Sequence, residues 1–280
     1  MTDSHGKTKQ EDPDPLPASR DVGASRPLLP NALAIAHRGF SWIAPENTIA
    51  SYERALAAGA RLFECDVWLS ADGVPVVFHD EDLQRVTGVS ARVHELPAEE
   101  LTRLDAGRWK DESFAGERIP TLSDLLTWTG ERSTPSAALG LVIEIKQAGM
   151  ATAVLETIRA TNTALETVTI LAFDLANLTN LLQLESRLRC IWLQDDLPDN
   201  PADRQTVVER ASSSGVSGLG TSVEQFDPEF VELAHASGFS IYVWTANEVE
   251  VMRRILRGGV DAVISDRPDL LLEVLDEDSC

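Results

Sequence analysis

From Leu33 onward, short β-rich runs alternate with stretches of helical periodicity, and this rhythm limits the fold more than any other feature of the chain. Strand and helix in strict alternation signal a parallel sheet with helices packed outside it. Eight runs can be counted: Leu33 to Gly39, Arg61 to Leu69 with an annex at Pro75 to His79, Leu139 to Lys146, Val168 to Asp174, Arg189 to Asp195, Gly215 to Val223, Phe239 to Ala246 and Val260 to Asp266. Several are almost continuously apolar, as strands buried on both faces are. A chain of 280 residues suits one such unit, because α/β barrels routinely occupy this size as a single domain. The expected fold class is therefore α/β, an eight-stranded parallel barrel.

The helices carry their own punctuation. Ile49, Tyr52 and Leu56 recur at one-face spacing before Gly59, and Val249, Met252 and Leu256 do so before Gly258. Asp227-Pro228-Glu229 reads as an N-cap, an N1 proline and a first-turn acid, and Thr121-x-x-Asp124 is close to a capping box. Asp266 followed by Pro268 is expected to open the last helix. One stretch breaks the rhythm: between His79 and Pro120 lie scattered charges, Gly88, Gly107 and Gly116, over a span too long for an ordinary connection of about 2–6 residues. The expected organisation is a disordered arm over residues 1–31, rich in proline, a catalytic barrel over 32–275 with an insertion at about 81–118 covering its mouth, and an acidic tail over 276–280.

Composition narrows the partners. With 24 basic and 45 acidic side chains the formal charge is −21, which repels a polyanion, so no nucleic acid partner is expected. A phosphate-bearing ligand would need a local positive field, for which a divalent cation is the strongest single source. No apolar run approaches the roughly 18 residues of a membrane-spanning helix, so no stable membrane insertion is expected. The first residues lack the apolar core of a secretion signal, and Cys65, Cys190 and Cys280 match neither a zinc site nor a disulfide framework. A reducing cytoplasm is the expected location, and nothing in the chain fixes an oligomeric state.

The chemistry concentrates where apolar runs end. Strand side chains alternate, so Glu64 and Asp66 of Glu64-Cys65-Asp66 point to one face, the barrel interior on a buried strand. Two inward carboxylates either reach solvent at a strand end or need a cation, and a hard divalent ion takes carboxylate oxygens readily. Glu144 interrupts the β-branched run Leu141-Val142-Ile143 and is hard to explain as packing. It shares a face with Lys146, which can pair with it or meet a phosphate oxygen. Three carboxylates against one lysine leave excess negative charge, which favours a bound cation. His37 closes Leu33-Ala34-Ile35-Ala36, and His79 closes Val76-Val77-Phe78. An isolated histidine there is commonly structural, but two beside an acid cluster form a plausible general acid/base pair. Arg38 supplies planar donors suited to phosphate. Trp244, at the end of Ile241-Tyr242-Val243, is a pocket wall or a core aromatic. Acid, base, metal seat and local cation together are what cleavage of a phosphodiester requires.

The same residues resemble the glycerophosphodiester phosphodiesterase family. The matching segments are His37-Arg38-Gly39, Pro45-Glu46-Asn47-Thr48, Glu64-x-Asp66, Asp72-Gly73-x-Pro75-Val76-Val77-x-His79-Asp80, Ile119-Pro120-Thr121-Leu122, Glu144-x-Lys146 and Gly259 to Asp266 followed by Pro268. The resemblance implies a TIM-type (β/α)8 barrel with a small insertion after the second strand. It implies a divalent metal ion, Mg²⁺ or Ca²⁺, held by Glu64, Asp66 and Glu144. It also implies His37 and His79 as the proton-transfer pair, Arg38 on the phosphate, and a small-molecule phosphodiester cleaved to glycerol 3-phosphate and an alcohol. One position departs: relatives often carry Ser-Phe where this chain has Ala172-Phe173, so no polar contact is expected there. Two other readings keep the same site: a lysophospholipase D or sphingomyelinase D-like phosphodiesterase, and a barrel that binds phosphate without turnover.

Overall fold

The computed structural model describes residues 32–277, so the arm expected over 1–31 and the end of the acidic tail, 278–280, lie outside the described residues. Nine strands form one sheet: β1 (Leu33–Ala36), β2 (Leu62–Leu69), β3 (Pro75–Val77), β4 (Gly140–Ile145), β5 (Val168–Ala172), β6 (Arg189–Gln194), β7 (Gly218–Ser222), β8 (Ser240–Trp244) and β9 (Ala262–Ser265). Eight pair in parallel, and closure comes from β1, which pairs with β9 on one side and β2 on the other. β3 is the annex to β2, folded back antiparallel with Val67 opposite Val77. This is the eight-stranded parallel α/β barrel that the alternation predicts.

Side-chain parity builds two cores. Residues of one parity, Ile35, Val142, Leu171, Ile191, Tyr242 and Ile264, fill the barrel interior as one cluster. Their neighbours of opposite parity, among them Phe63, Cys65, Val67, Ile143 and Ile145, pack outward against the helices. Glu64 and Asp66 share the parity of Leu62, and Glu144 that of Val142, so all three are committed to the inside by the pleat alone. In β7 the inward positions are Gly218 and Gly220; a Cβ on Gly220 would stand 2.7 Å from Leu193 and 2.9 Å from the Trp244 ring, so only glycine lets that indole lie across the strand.

Helix ends follow local chemistry. Thr121 and Asp124 form the reciprocal capping box, and the Asp227 side chain accepts from the Glu229 N–H with Pro228 in the first turn. The final helix spans Pro268–Glu277, so Asp276 and Glu277 extend it rather than belonging to a separate tail, and Glu277 pairs with Arg253 at 2.7 Å. The segment between β3 and the helix Leu122–Arg132 contains two single-turn helices, Gln84–Thr87 and Ala98–Leu101, and two 3₁₀ turns. Leu83, Val86, Val93, Leu101 and Ala106 pack with Val76, Phe78 and Ile119 into a satellite core, which orders the insertion. No helix among the described residues is long and apolar enough to cross a membrane.

Candidate active site

The C-terminal ends of the barrel strands bring the predicted residues together. β2 and β4 are in register with Asp66 opposite Glu144, and Glu64 lies one inward step below. Ligand oxygens of Glu64, Asp66 and Glu144 all fall within 4.8 Å of one another. Asp66 is the best compensated: its Oδ2 accepts from Asn47 Nδ2 at 2.8 Å and lies 3.1 Å from Arg38 Nε, and its Oδ1 is 3.1 Å from Lys146 Nζ. Burial opposes its ionisation, yet Arg38 and Lys146 outweigh it and hold this carboxyl below the usual range. Among the described residues, the Glu64 side chain, 2% exposed, accepts a hydrogen bond only from the Arg38 backbone N–H, at 3.0 Å. Burial, then Asp66 and Glu144, push its carboxyl well upward. Glu144 is raised to about 7 by burial and by Asp66, although Lys146 Nζ donates to it at 2.7 Å.

Three acids therefore face two cations. Glu64 Oε1 and Asp66 Oδ1 are buried without an aligned hydrogen bond, which among native proteins demands an explanation. A hard divalent cation supplies one: the donors are carboxylate oxygens, close enough to share an ion, and short of one positive charge. Lys146 is re-read by this geometry. Its ammonium already bridges Glu144 and Asp66, so it meets the carboxylates directly, as the pairing alternative foresaw.

Each histidine is presented in the same way. His37 leaves β1 and its Nδ1 lies 2.6 Å from Asp266 Oδ1, which leaves Nε2 turned inward, 3.9 Å from Glu64. Asp266 also accepts from Ser41 Oγ and Asn247 Nδ2, both at 2.7 Å. Burial opposes its ionisation, but these bonds and His37 dominate and depress its pKa. His79 Nδ1 lies 2.7 Å from Asp80, and Trp68 Nε1 donates to the His79 carbonyl at 3.0 Å. Burial, with Arg38 and Lys146 assisting, lowers the His79 pKa despite Asp66 and Asp80. A carboxylate on Nδ1 fixes the proton there, so each Nε2 can take up or release a proton.

Arg38 is held with a left-handed backbone at φ 53°, followed by Gly39 at φ 85°, where a side chain would overlap Ser51. That turn aims the guanidinium back over the acids, with Nη1 donating to Glu46 at 3.0 Å. Beside it a cavity of about 540 Å³ opens, lined by His37, Arg38, Glu46, Asp266, Ser41 and Trp42 together with Lys110 from the insertion. The model of the glycerophosphoryl diester phosphodiesterase family matches residues 37–270. The chain belongs to that family. A glycerophosphodiester phosphodiesterase of Caldanaerobacter subterraneus is 34% identical over 87% of this chain and 97% of its own length. One from Bacillus altitudinis is 30% identical over 86% and 97%. A phosphodiesterase of Oleispira antarctica, solved in complex with the product sn-glycerol-3-phosphate, superposes with a TM-score of 0.79 at 29% identity, covering 87% of this chain and 96% of that one.

Within this family scaffold, Trp244 ends β8 facing inward and meets Phe173 edge to face at 5.8 Å, forming an apolar wall. Several site residues escape sequence reasoning. Asp266 has the inward parity of Ile264 and could have been found by counting alternation; Asn47, with φ 58°, could have been sought in Pro45-Glu46-Asn47-Thr48. That motif now has a physical meaning: Glu46 holds Arg38, Asn47 bridges Tyr52 Oη (2.9 Å) and Asp66, and Thr48 caps the helix Ile49–Ala57. Arg85 and Lys110 had no local signal. Of the other histidines, His94 sits in the insertion and His235 pairs with Asp261 at 2.8 Å, both apart from the acid cluster's contacts.

Proposed function

We propose that this chain hydrolyses glycerophosphodiesters to glycerol 3-phosphate and an alcohol in a metal-dependent reaction with a histidine acid/base pair. The observation that carries the reading is the meeting of three converging carboxylates, among them a buried Glu64 Oε1 with no hydrogen bond, with two imidazoles whose Nδ1 atoms are each tied to an aspartate. Glu64, Asp66 and Glu144 would hold Mg²⁺ or Ca²⁺, which supplies positive charge to polarise the phosphodiester. Arg38 adds donors for phosphate oxygens from above the acids. Lys146 bridges Asp66 and Glu144, which favours the ionised form of each and holds the two in register. Trp244 and Phe173 exclude water from one side. One Nε2 takes the proton of the attacking oxygen and the other delivers a proton to the departing alcohol, a division of labour worth about 10²–10⁴-fold. The attacker is either water, which gives glycerol 3-phosphate directly, or the neighbouring glycerol hydroxyl, which gives a cyclic phosphate that water then opens to glycerol 3-phosphate. The product bound to the Oleispira antarctica relative supports the glycerol 3-phosphate half of the substrate.

Domain and location follow the same reading. Residues 32–277 act as the catalytic barrel with the 81–118 segment over its mouth, and buried, unpaired Cys65 and Cys190 suit a reducing cytoplasm. The test is a panel of glycerophosphodiesters with added Mg²⁺ or Ca²⁺, read by enzymatic detection of glycerol 3-phosphate. Release should vanish with EDTA and with His37→Ala; full activity under both would defeat the proposal. One observation favours a lipid substrate as second reading: Trp42, 55% exposed, lines the cavity, and Ile43 beside it is 47% exposed, which offers an apolar rim to an acyl chain. Turnover of lysophosphatidylcholine exceeding that of glycerophosphocholine would select it.

A further inference from the structure

Arg85 stands on the single turn Gln84–Thr87 of the insertion and reaches two carboxylates at once. Its Nε donates to Asp80 Oδ2 at 2.6 Å and Nη2 to Asp80 Oδ1 at 3.0 Å; Nη1 and Nη2 also donate to Glu46 at 3.2 and 2.7 Å. Each carboxylate serves a different half of the site. Asp80 holds Nδ1 of His79 at 2.7 Å, and Glu46 accepts from Nη1 of Arg38 at 3.0 Å. A surface arginine beside two acids would be unremarkable if the acids were free, but Asp80 and Glu46 are only 20% and 14% exposed and come from different loops.

We propose that Arg85 is a positioning residue that locks the proton-transfer half of the site to the phosphate-binding half, through Asp80–His79 on one arm and Glu46–Arg38 on the other. A planar fork fixes two carboxylates in orientation as well as distance, which a point charge does not. The insertion extends the brace to the second histidine. The Arg85 guanidinium lies 5.2 Å from the centre of the Trp109 ring, whose Nε1 is anchored on the Ala106 carbonyl at 2.9 Å. Lys110 lies 5.8 Å from the same ring and donates to the Ser41 carbonyl at 2.7 Å, and Ser41 Oγ donates to Asp266, the partner of His37. The insertion is thus a clamp on both imidazoles, and Arg85 is its direct grip.

This inference rests on the glycerophosphodiesterase reading for its kinetic test and on none of it for its spectroscopic one. Arg85→Ala and Arg85→Lys are made in the full chain, with kcat and KM measured on a glycerophosphodiester and the far-downfield proton resonances of carboxylate-bound imidazole N–H recorded by NMR. The His79 signal is assigned by its loss in His79→Gln. Misplacement by about 1 Å costs about 10²-fold, so Arg85→Ala should lower kcat about 10–100-fold with KM changed less than about threefold. Its His79 resonance should broaden or shift while that of His37 persists, and Arg85→Lys should recover little of either. A kcat within about twofold of wild type, or a loss carried by KM alone, overturns the assignment. So does an unmoved His79 resonance, or full recovery by lysine. If wild type itself releases no glycerol 3-phosphate, the functional reading fails, and the resonance of His79 in Arg85→Ala still decides the positioning role.

Discussion

Glu144→Gln should make the metal-free protein more stable at pH 8 than it is in its native form, although the substitution removes a carboxylate from the site. The native side chain sits beside Asp66, is 14% exposed, and has its carboxyl raised from 4.5 to about 7. A raised acid binds its proton more tightly folded than unfolded, so its contribution falls as pH climbs from the unfolded value of about 4.5 through the folded value near 7, and is level above that. At about 1.4 kcal/mol per pH unit, ionised Glu144 at pH 8 costs the folded state about 3 kcal/mol. Glutamine is isosteric and uncharged, and Lys146 keeps Asp66 at 3.1 Å as a partner, so the ammonium is not stranded. The assay is urea unfolding in EDTA, followed by the fluorescence of the six tryptophans, at pH 4.5, 6 and 8 for both proteins. The variant should gain on the native protein progressively across that window, by about 1–3 kcal/mol in all. Added Mg²⁺ or Ca²⁺ should cancel most or all of that gain, since a ligand at a hundred times its Kd stabilises the native site by about 2.7 kcal/mol and the variant has lost a ligand. A gap that stays constant with pH, or a variant destabilised at pH 8 in EDTA, would refute the picture of an under-compensated acid trio.

Three further outcomes follow from single contacts. Asp266→Asn should cut kcat by about 10² or more, because an amide does not hold the Nδ1 proton of His37 as a carboxylate does; the depressed pKa of Asp266 also means that its stabilisation, full above a carboxylate's ordinary pKa near 4, fades in the native protein as pH falls below that and is absent from the variant's profile. Asn47→Ala should lower stability by about 1–3 kcal/mol in denaturant titration, since it removes a donor from buried Asp66 and leaves Tyr52 Oη only its longer bond to the Glu64 carbonyl, at 3.4 Å. Gly220→Ala should cost about 1–3 kcal/mol by the same measurement and shift the Trp244 emission, because the new methyl must displace Leu193 or the indole.

The chain's linear pattern was sufficient for whatever depends on neighbours a few positions apart. Strand alternation set the parity of Glu64, Asp66 and Glu144, and spacing of apolar residues marked the helices; Thr121 and Asp124 announced a capping box that formed. The irregular span after His79 was visible as an insertion, but its grip on the site was not, because Arg85 meets Glu46 across 39 positions and carries no periodicity of its own. Alternation placed Lys146 on the face of Glu144 and allowed the two to pair, but only the register of β2 against β4 brings the same ammonium to Asp66. His37 and Asp266 are 229 positions apart and touch because β1 pairs with β9, Ala36 beside Ser265, so the next residue of each strand meets the other at the rim. Local periodicity decides which way a side chain points; closing the barrel decides what it finds there, since register between distant strands is set by the packing of the whole sheet.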